Sequence, residues 1–186
     1  MSQKGEETRQ MILESATELF AEKGFKDVTM SDICERTGLS RGGLYRHFSS
    51  TSEIFSEIIS EEYSFDDRIR RKESAVVILK DTLKYVEEAI QQKERSLSLA
   101  IYEYANVGEN SGEFLLLEAK AKKRWMTLIR YGIRRGEFNK VNPEAAAEMI
   151  LYYYQGLRMW SRVVDIGKKS ATHYSRNVIE LLTGGR

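Results

Sequence analysis

Residues 29–48 contain two helix starts separated by a glycine, and this short segment constrains the fold more than any other part of the chain. Thr29, followed three residues later by Asp32, resembles a capping box, which opens a helix. Gly38 stands where that helix must end and the chain must reverse, because glycine adopts a positive φ without strain. Ser40 can then cap a second helix through its hydroxyl. This spacing predicts a helix-turn-helix.

The apolar residues of the segment predict which face of each helix is buried. Leu44 and Phe48 lie four residues apart and bury one face of the second helix. The remaining residues of that helix lie at or near its outer side: Arg41, Gly42, Gly43, Tyr45, Arg46 and His47. Because a helix-turn-helix places its second helix in the major groove of DNA, these residues are candidate DNA contacts.

Two adjacent glycines distinguish the second helix from that of an ordinary helical hairpin. Each glycine costs up to ~1 kcal/mol of helix propensity relative to alanine. A helix that only packs would not favour them, whereas a helix whose backbone approaches a phosphate or a base edge could. The alternative is an αα-hairpin with a polar outer face that binds no DNA.

Residues 9–55 resemble the DNA-binding domain of the TetR family, the tetracycline-repressor-type regulators. The matching residues follow without gaps: Ile12, Ala16, Leu19, Phe20, Ala21, Gly24, Phe25, Thr29, Ile33, Gly38, Leu39, Ser40, Gly42, Leu44, Tyr45, His47, Phe48, Glu53 and Phe55. Two positions depart from the family pattern. Thr51 stands where the family usually has a lysine that meets a phosphate, and Gly43 stands where threonine or alanine is common.

The resemblance implies a ligand-responsive, DNA-binding transcriptional regulator, a repressor released from its operator by an unidentified small molecule. It implies a homodimer on a palindromic operator of double-stranded DNA. The residues expected to contact that DNA are Thr29, Ser40, Arg41, Gly42, Gly43, Tyr45, Arg46, His47 and Thr51. A helical protein–protein interaction module without DNA binding is the alternative.

Helical periodicity dominates the chain, which contains one proline. We predict an all-α fold with an N-terminal three-helix helix-turn-helix domain over 1–49 and a linking helix over about 50–65. A helical domain for effector binding and dimerisation follows over 66–186, and the charge-dense segment 66–73 is expected to be a solvated linker. Other helices are predicted over about 6–23, 74–93, 97–106, 111–135, 143–165 and 170–182.

The helix that begins at Pro143 is apolar nearly all round, so it must be covered on more than one side. The residues alone leave a buried core helix in a monomer as an equal alternative to an interface. The resemblance favours the interface, because two C-terminal helices of each subunit form the dimer contact in the TetR family. The candidate interface residues are Met149, Tyr153, Gly156 and Trp160.

The resemblance also implies an effector pocket among the middle helices. The candidate lining residues are Tyr85, Tyr102, Trp125 and Ile129, with Tyr104 as a further aromatic. Plain core packing is the alternative for each of them. Glu103 and Asn106 could supply polar contacts, or they could lie in solvent.

Composition and charge bound the remaining possibilities. No apolar run approaches the ~20 residues that cross a membrane, and no signal-peptide stretch is visible, so we expect no membrane partner and a cytoplasmic protein. Cys34 is the single cysteine, which excludes an internal disulfide. The two histidines, His47 and His173, belong to no metal or catalytic motif, so we expect no enzyme, cofactor or metal. Residues 1–60 carry a net charge of −3, which predicts modest non-specific DNA affinity.

Overall fold

The computed structural model describes residues 3–60, 65–91, 96–108, 110–161 and 163–185, and these ranges contain ten helices and no strand. The helices are α1 (Gln3–Lys23), α2 (Met30–Thr37), α3 (Arg41–Tyr45), α4 (Thr51–Ser60), α5 (Asp66–Arg70), α6 (Ala75–Gln91), α7 (Ser98–Ala105), α8 (Ser111–Arg134), α9 (Pro143–Trp160) and α10 (Lys168–Thr183). The all-α prediction is confirmed.

The predicted helix ends agree with the structure to within three residues except in two places, and the predicted end of the helix over 74–93 lies outside the described residues. Helix α9 ends at Trp160, short of the predicted residue 165. Segment 66–73, expected to be a linker, instead contains α5, because Ile69 packs on an apolar core and Arg68 forms ion pairs. The predicted linking helix is present as α4, and part of its predicted extension to residue 65 lies outside the described residues.

The chain divides into two compact units, and the division differs from the split predicted at 49–66. The first unit contains α1–α4, and α7 and the beginning of α8 also belong to it. The second unit contains α5, α6, most of α8, α9 and α10. The difference arises because Ala100 and Tyr104 of α7 are buried in the core of the first unit. Their apolar spacing in the sequence does not reveal which core they join.

Four buried aromatic rings form the centre of the first unit: Phe20, Phe25, Phe55 and Tyr104. The centroids of Phe20 and Phe55 lie 4.8 Å apart, and those of Phe55 and Tyr104 lie 5.1 Å apart. Offset and edge contacts of this kind add about 0.5–1.5 kcal/mol per pair beyond the area they bury. The cluster joins α1, α4 and α7 to the loop that follows α1.

The second unit is built around α6 and α10, with α9 and the rest of α8 covering them. The hydroxyl of Tyr174 on α10 donates a hydrogen bond to the carbonyl of Ile150 on α9 at 3.1 Å. Burial raises the pKa of this phenol above its usual value. Within the described residues no helix is long and apolar enough to cross a membrane.

The end of α8 turns back on itself through Gly136, whose φ is 70°. The N–H groups of Glu137 and Phe138 then both donate to the carbonyl of Gly132, at 3.0 and 3.1 Å. This turn lays the buried Phe138 ring directly on Gly132, where an added Cβ would stand 2.3 Å from the ring.

We predict that Gly132→Ala destabilises the protein by about 1–3 kcal/mol, because the ring must move out of a packed core. Gly112→Ala is the matched control on the same helix, since a Cβ there meets nothing within 4 Å. Urea unfolding of both variants beside the wild type measures the difference. Equal stability of the two variants would contradict the assigned packing.

Candidate nucleic-acid interface

The capping box predicted at the start of α2 is present. The backbone N–H of Thr29 donates to the Asp32 carboxylate at 2.9 Å, and the N–H of Asp32 donates to the Thr29 hydroxyl at 3.2 Å. Hydrogen bonds from Lys23 and Thr29 hold the pKa of Asp32 well below its usual value. Gly38 ends α2 with a φ of 71°, as the sequence predicts. The helix-turn-helix is therefore confirmed.

Helix α3 has five residues and depends on its surroundings for stability. The N–H of Gly43 donates to the Ser40 hydroxyl at 3.1 Å, so the predicted cap is formed. Leu44 and Phe48 are buried in the core of the first unit. Because so short a helix is unstable alone in water, its position depends on these two side chains.

The residues predicted to contact DNA lie largely at the surface of the first unit. Tyr45 is 53% exposed, and Arg41, Gly42 and Arg46 are exposed beside it. His47 and Thr51 are half-buried. The hydroxyl of Thr29 is exposed but already bonded to the Asp32 carboxylate. The exposed candidate residues are thus centred on α3.

The three arginines of the motif differ in their electrostatic surroundings. Arg36 pairs with Glu18 at 3.2 Å and with Glu22 at 2.9 Å. Arg41 instead donates to the hydroxyl of Ser31 at 3.0 Å. Within the described part of the chain, neither Arg41 nor Arg46 forms an ion pair, so both guanidinium groups stay available to an anionic partner. The charge of Arg36, in contrast, is balanced by the two glutamates beside it.

Arg9 is a residue of this region that the sequence did not single out. Its Nη1 donates to the carbonyl of His47 at 3.0 Å, and its Nε donates to Glu57 at 3.0 Å. Its guanidinium also lies 4.1 Å from the ring centroid of Phe48. Arg9 therefore ties α1 and α4 to the chain immediately after α3. The large sequence separation of these partners hides the contact from any local pattern.

Glu103 on α7, expected either to supply a polar contact or to lie in solvent, has a structural role in the first unit. Its carboxylate accepts hydrogen bonds from the backbone N–H groups of Phe25 at 2.7 Å and Lys26 at 3.1 Å. Gly24 passes close to it with a φ of 86°. The carboxylate thus satisfies donors of the loop between α1 and α2. Asn106, the other polar candidate, donates to the Tyr102 carbonyl of its own helix at 2.6 Å.

The candidate pocket residues do not come together within one unit. Tyr85 and Tyr102 are exposed, whereas Trp125 and Ile129 are buried in the core of the second unit. Tyr104 belongs to the core of the first unit, and its hydroxyl donates to Glu113 at 2.6 Å. Burial, followed by the neighbouring Glu113 carboxylate, raises the pKa of Tyr104 to about 12. The sequence could not distinguish the exposed candidates from the buried ones, because each helix carries apolar residues on several sides.

The candidate dimer residues share one face of α9. Met149, Tyr153 and Trp160 are 61, 39 and 60% exposed. Gly156 lies on the same face, and an added Cβ there would meet nothing within 4 Å. This face is therefore a largely exposed apolar stripe with a glycine in its middle.

Residues 12–58 match the sequence family described as bacterial regulatory proteins, tetR family. The chain is 33% identical over 144 residues to the HTH-type transcriptional regulator YfiR of Bacillus subtilis, covering 72% of this chain and 69% of YfiR. It is 32% identical over 99 residues to the HTH-type transcriptional regulator AcrR of Shigella flexneri, covering 50% of this chain and 46% of AcrR.

The fold resembles that of NalD from Pseudomonas aeruginosa, described as the secondary repressor of a multidrug efflux pump. The TM-score is 0.69 at 20% identity, over 96% of this chain and 98% of NalD. Because the match to YfiR covers over two thirds of both chains, the protein belongs to the TetR family of helix-turn-helix transcriptional regulators. It is accordingly a DNA-binding regulator.

We predict that Arg9→Lys lowers the free energy of unfolding by about 1–2 kcal/mol, because an ammonium cannot form the two-pronged contact with Glu57 and stack on Phe48 as well. Urea unfolding measures the change. The exposed Lys4→Arg on the same helix is the control and should leave stability unchanged. A wild-type unfolding curve for Arg9→Lys would mean that the Arg9 contacts contribute nothing to holding α3.

Proposed function

We propose that the protein is a repressor that binds a palindromic operator as a homodimer and leaves it when a small molecule binds the second unit. The observation that carries this proposal is the surface of α3. Arg41, Tyr45 and Arg46 are exposed there on a capped helix, and neither arginine forms an ion pair with a described residue. A helix in the major groove uses such side chains for bases and phosphates.

The glycine at position 42 supports the same orientation of α3. A Cβ there would meet nothing within 4 Å, so the protein itself does not require glycine at this position. Close approach to an external surface, such as the phosphate backbone of DNA, would explain why this position is a glycine. Thr51 opens α4 nearby in sequence, and the N terminus of that helix favours a phosphate even without the family's lysine.

Dimer formation is supported by the exposed stripe of α9. Aromatic residues and methionine are enriched in protein interfaces. The stripe formed by Met149, Tyr153, Gly156 and Trp160 is apolar and largely exposed in the single chain. A two-fold copy would cover it and place two α3 helices on successive major grooves, about 34 Å or a multiple apart.

Repression needs only occupancy of the operator, because a bound dimer excludes other proteins from the same DNA. Release follows if a ligand binds better to a conformation whose two α3 helices no longer match the groove spacing. The central experiment measures binding to a duplex from the protein's own promoter region and to an unrelated duplex of equal length. Equal binding to both, or none, would favour the alternative of a protein–protein interaction module.

We predict that Tyr45→Ala weakens binding to both duplexes, because a phosphate contact is lost. Arg41→Ala and Arg46→Ala should instead reduce discrimination at particular base pairs by about 1–3 kcal/mol. Fluorescence anisotropy with single-base operator variants separates the two effects. Arg130→Ala, an exposed arginine of α8, is the matched control. Wild-type binding by all three α3 variants would refute the assigned contact surface.

We predict that Gly156→Leu disrupts the dimer, because a branched side chain would enter the closest approach of the two copies. Sedimentation at micromolar concentration measures assembly, and the helical circular dichroism of the variant checks folding. Operator affinity should fall with the dimer, since one half-site supplies too few contacts. A variant that remains dimeric would remove Gly156 from the interface, and a monomer with unchanged affinity would contradict the two-fold arrangement.

A further inference from the structure

The face of α9 opposite the exposed stripe carries a cation. At 100° per residue, Arg158 lies within about 20° of Ala147 around the helix and about 160° away from Gly156. Ala147 is buried in the core of the second unit, and Tyr154 and Leu157 pack against that core. Arg158 is therefore directed into its own unit and away from the stripe proposed to meet a second copy.

The side chain of Arg158 is incompletely satisfied in this position. Its Nη1 donates to the hydroxyl of Tyr154 at 2.9 Å, and its guanidinium lies 5.5 Å from the centroid of the same ring. The Nε atom is buried and has no hydrogen-bond partner. In the described residues Arg158 makes no ion pair, and a phenol hydroxyl does not neutralise its charge.

Two other partly buried cations of the second unit, Arg68 and Lys122, have acidic partners. Arg68 pairs with Glu73 at 2.7 Å and with Asp81 at 2.8 Å, and Lys122 lies 3.2 Å from both Glu144 and Glu148. A charge directed into a protein without a counter-charge is costly, and such charges are normally paired. Arg158 lacks the counter-charges that these two cations have.

We propose that Arg158 binds the acidic group of the small-molecule effector, and that the effector is an organic anion with an apolar body. This inference rests on the proposed ligand response and adds the chemistry of the ligand. The guanidinium fork matches the oxygens of a carboxylate or a phosphate, and its unbonded Nε supplies one of the two parallel donors.

The apolar part of the ligand follows from the neighbours of Arg158. The ring of Tyr154 lies 6.3 Å from the buried ring of Tyr174. Leu157, the chain neighbour of Arg158, packs against the same core. Aromatic and aliphatic side chains around one fixed charged group are the usual composition of a small-molecule site. A fully hydrated inorganic anion would make no use of these apolar neighbours.

The test compares ligands that share a chain and differ in the head group. The full-length protein is titrated calorimetrically with octanoate, octyl phosphate, 1-octanol and octyltrimethylammonium, each below its micelle concentration. We expect at least one of the two anions to bind about tenfold or more tightly than the alcohol and the cation, since hydrogen bonds to charged groups carry that difference. Equal binding of anions and alcohol by the wild type would overturn the proposal without any variant.

Variants then locate the head group. Arg158→Met should weaken anion binding about tenfold or more and leave the unliganded Tm unchanged or higher, because an unpaired charge is removed. Arg176→Met, at an exposed arginine of α10, should bind like the wild type. Wild-type anion binding by Arg158→Met, or a dimer lost in that variant, would contradict the assignment, and Arg158→Gln repeats the test if the methionine variant does not fold.

The ligand-binding test of this inference is independent of the operator-binding test of the proposed function. Anion binding is measured without DNA, and operator binding is measured without ligand. A protein that binds its operator but shows no preference for the anions would refute this inference alone. A protein that binds the anions through Arg158 but no specific DNA would refute the proposed repressor and keep the site.

Discussion

The position of α3 depends on the aromatic core of the first unit. A helix of five residues is not stable by itself in water, so its position depends on the packing of Leu44 and Phe48 in the core. Those side chains share a core with Phe20, Phe55 and the other rings of the aromatic cluster. Any change that loosens this cluster would therefore also displace the exposed groups of α3.

The same core explains why α7 belongs with the N-terminal helices. Its Tyr104 completes the ring cluster, and its Glu103 accepts the N–H groups of Phe25 and Lys26. Phe25 is buried in the loop between α1 and α2, and a buried backbone donor needs an acceptor. A carboxylate that accepts two backbone N–H groups satisfies both with one side chain. The helix-turn-helix unit therefore needs a segment almost eighty residues further along the chain.

Local sequence signals predicted the helix caps and turns well. Contacts between residues far apart in the chain could not be predicted in this way. The cap at Ser40, the turn at Gly38 and the buried Leu44 follow from neighbours within four residues, and all three were predicted. The placement of α7 and the contacts of Arg9 join distant residues, so no periodicity reports them. The same holds for the exposed Tyr85 and the buried Trp125, whose helices carry apolar residues on more than one face.

Net charge is a poor guide to the electrostatics of the α3 surface. The first 60 residues carry three more acidic than basic side chains, yet several of their carboxylates are engaged within the unit. Glu18 and Glu22 meet Arg36, and Asp32 meets Lys23. Those pairs are partly exposed, and salt screens the fields that they leave beyond about 10 Å. An approaching phosphate would thus respond mainly to Arg41 and Arg46, which form no ion pair within the described chain. Two such cations release few counterions, so recognition by this surface must depend more on fitted contacts than on charge alone.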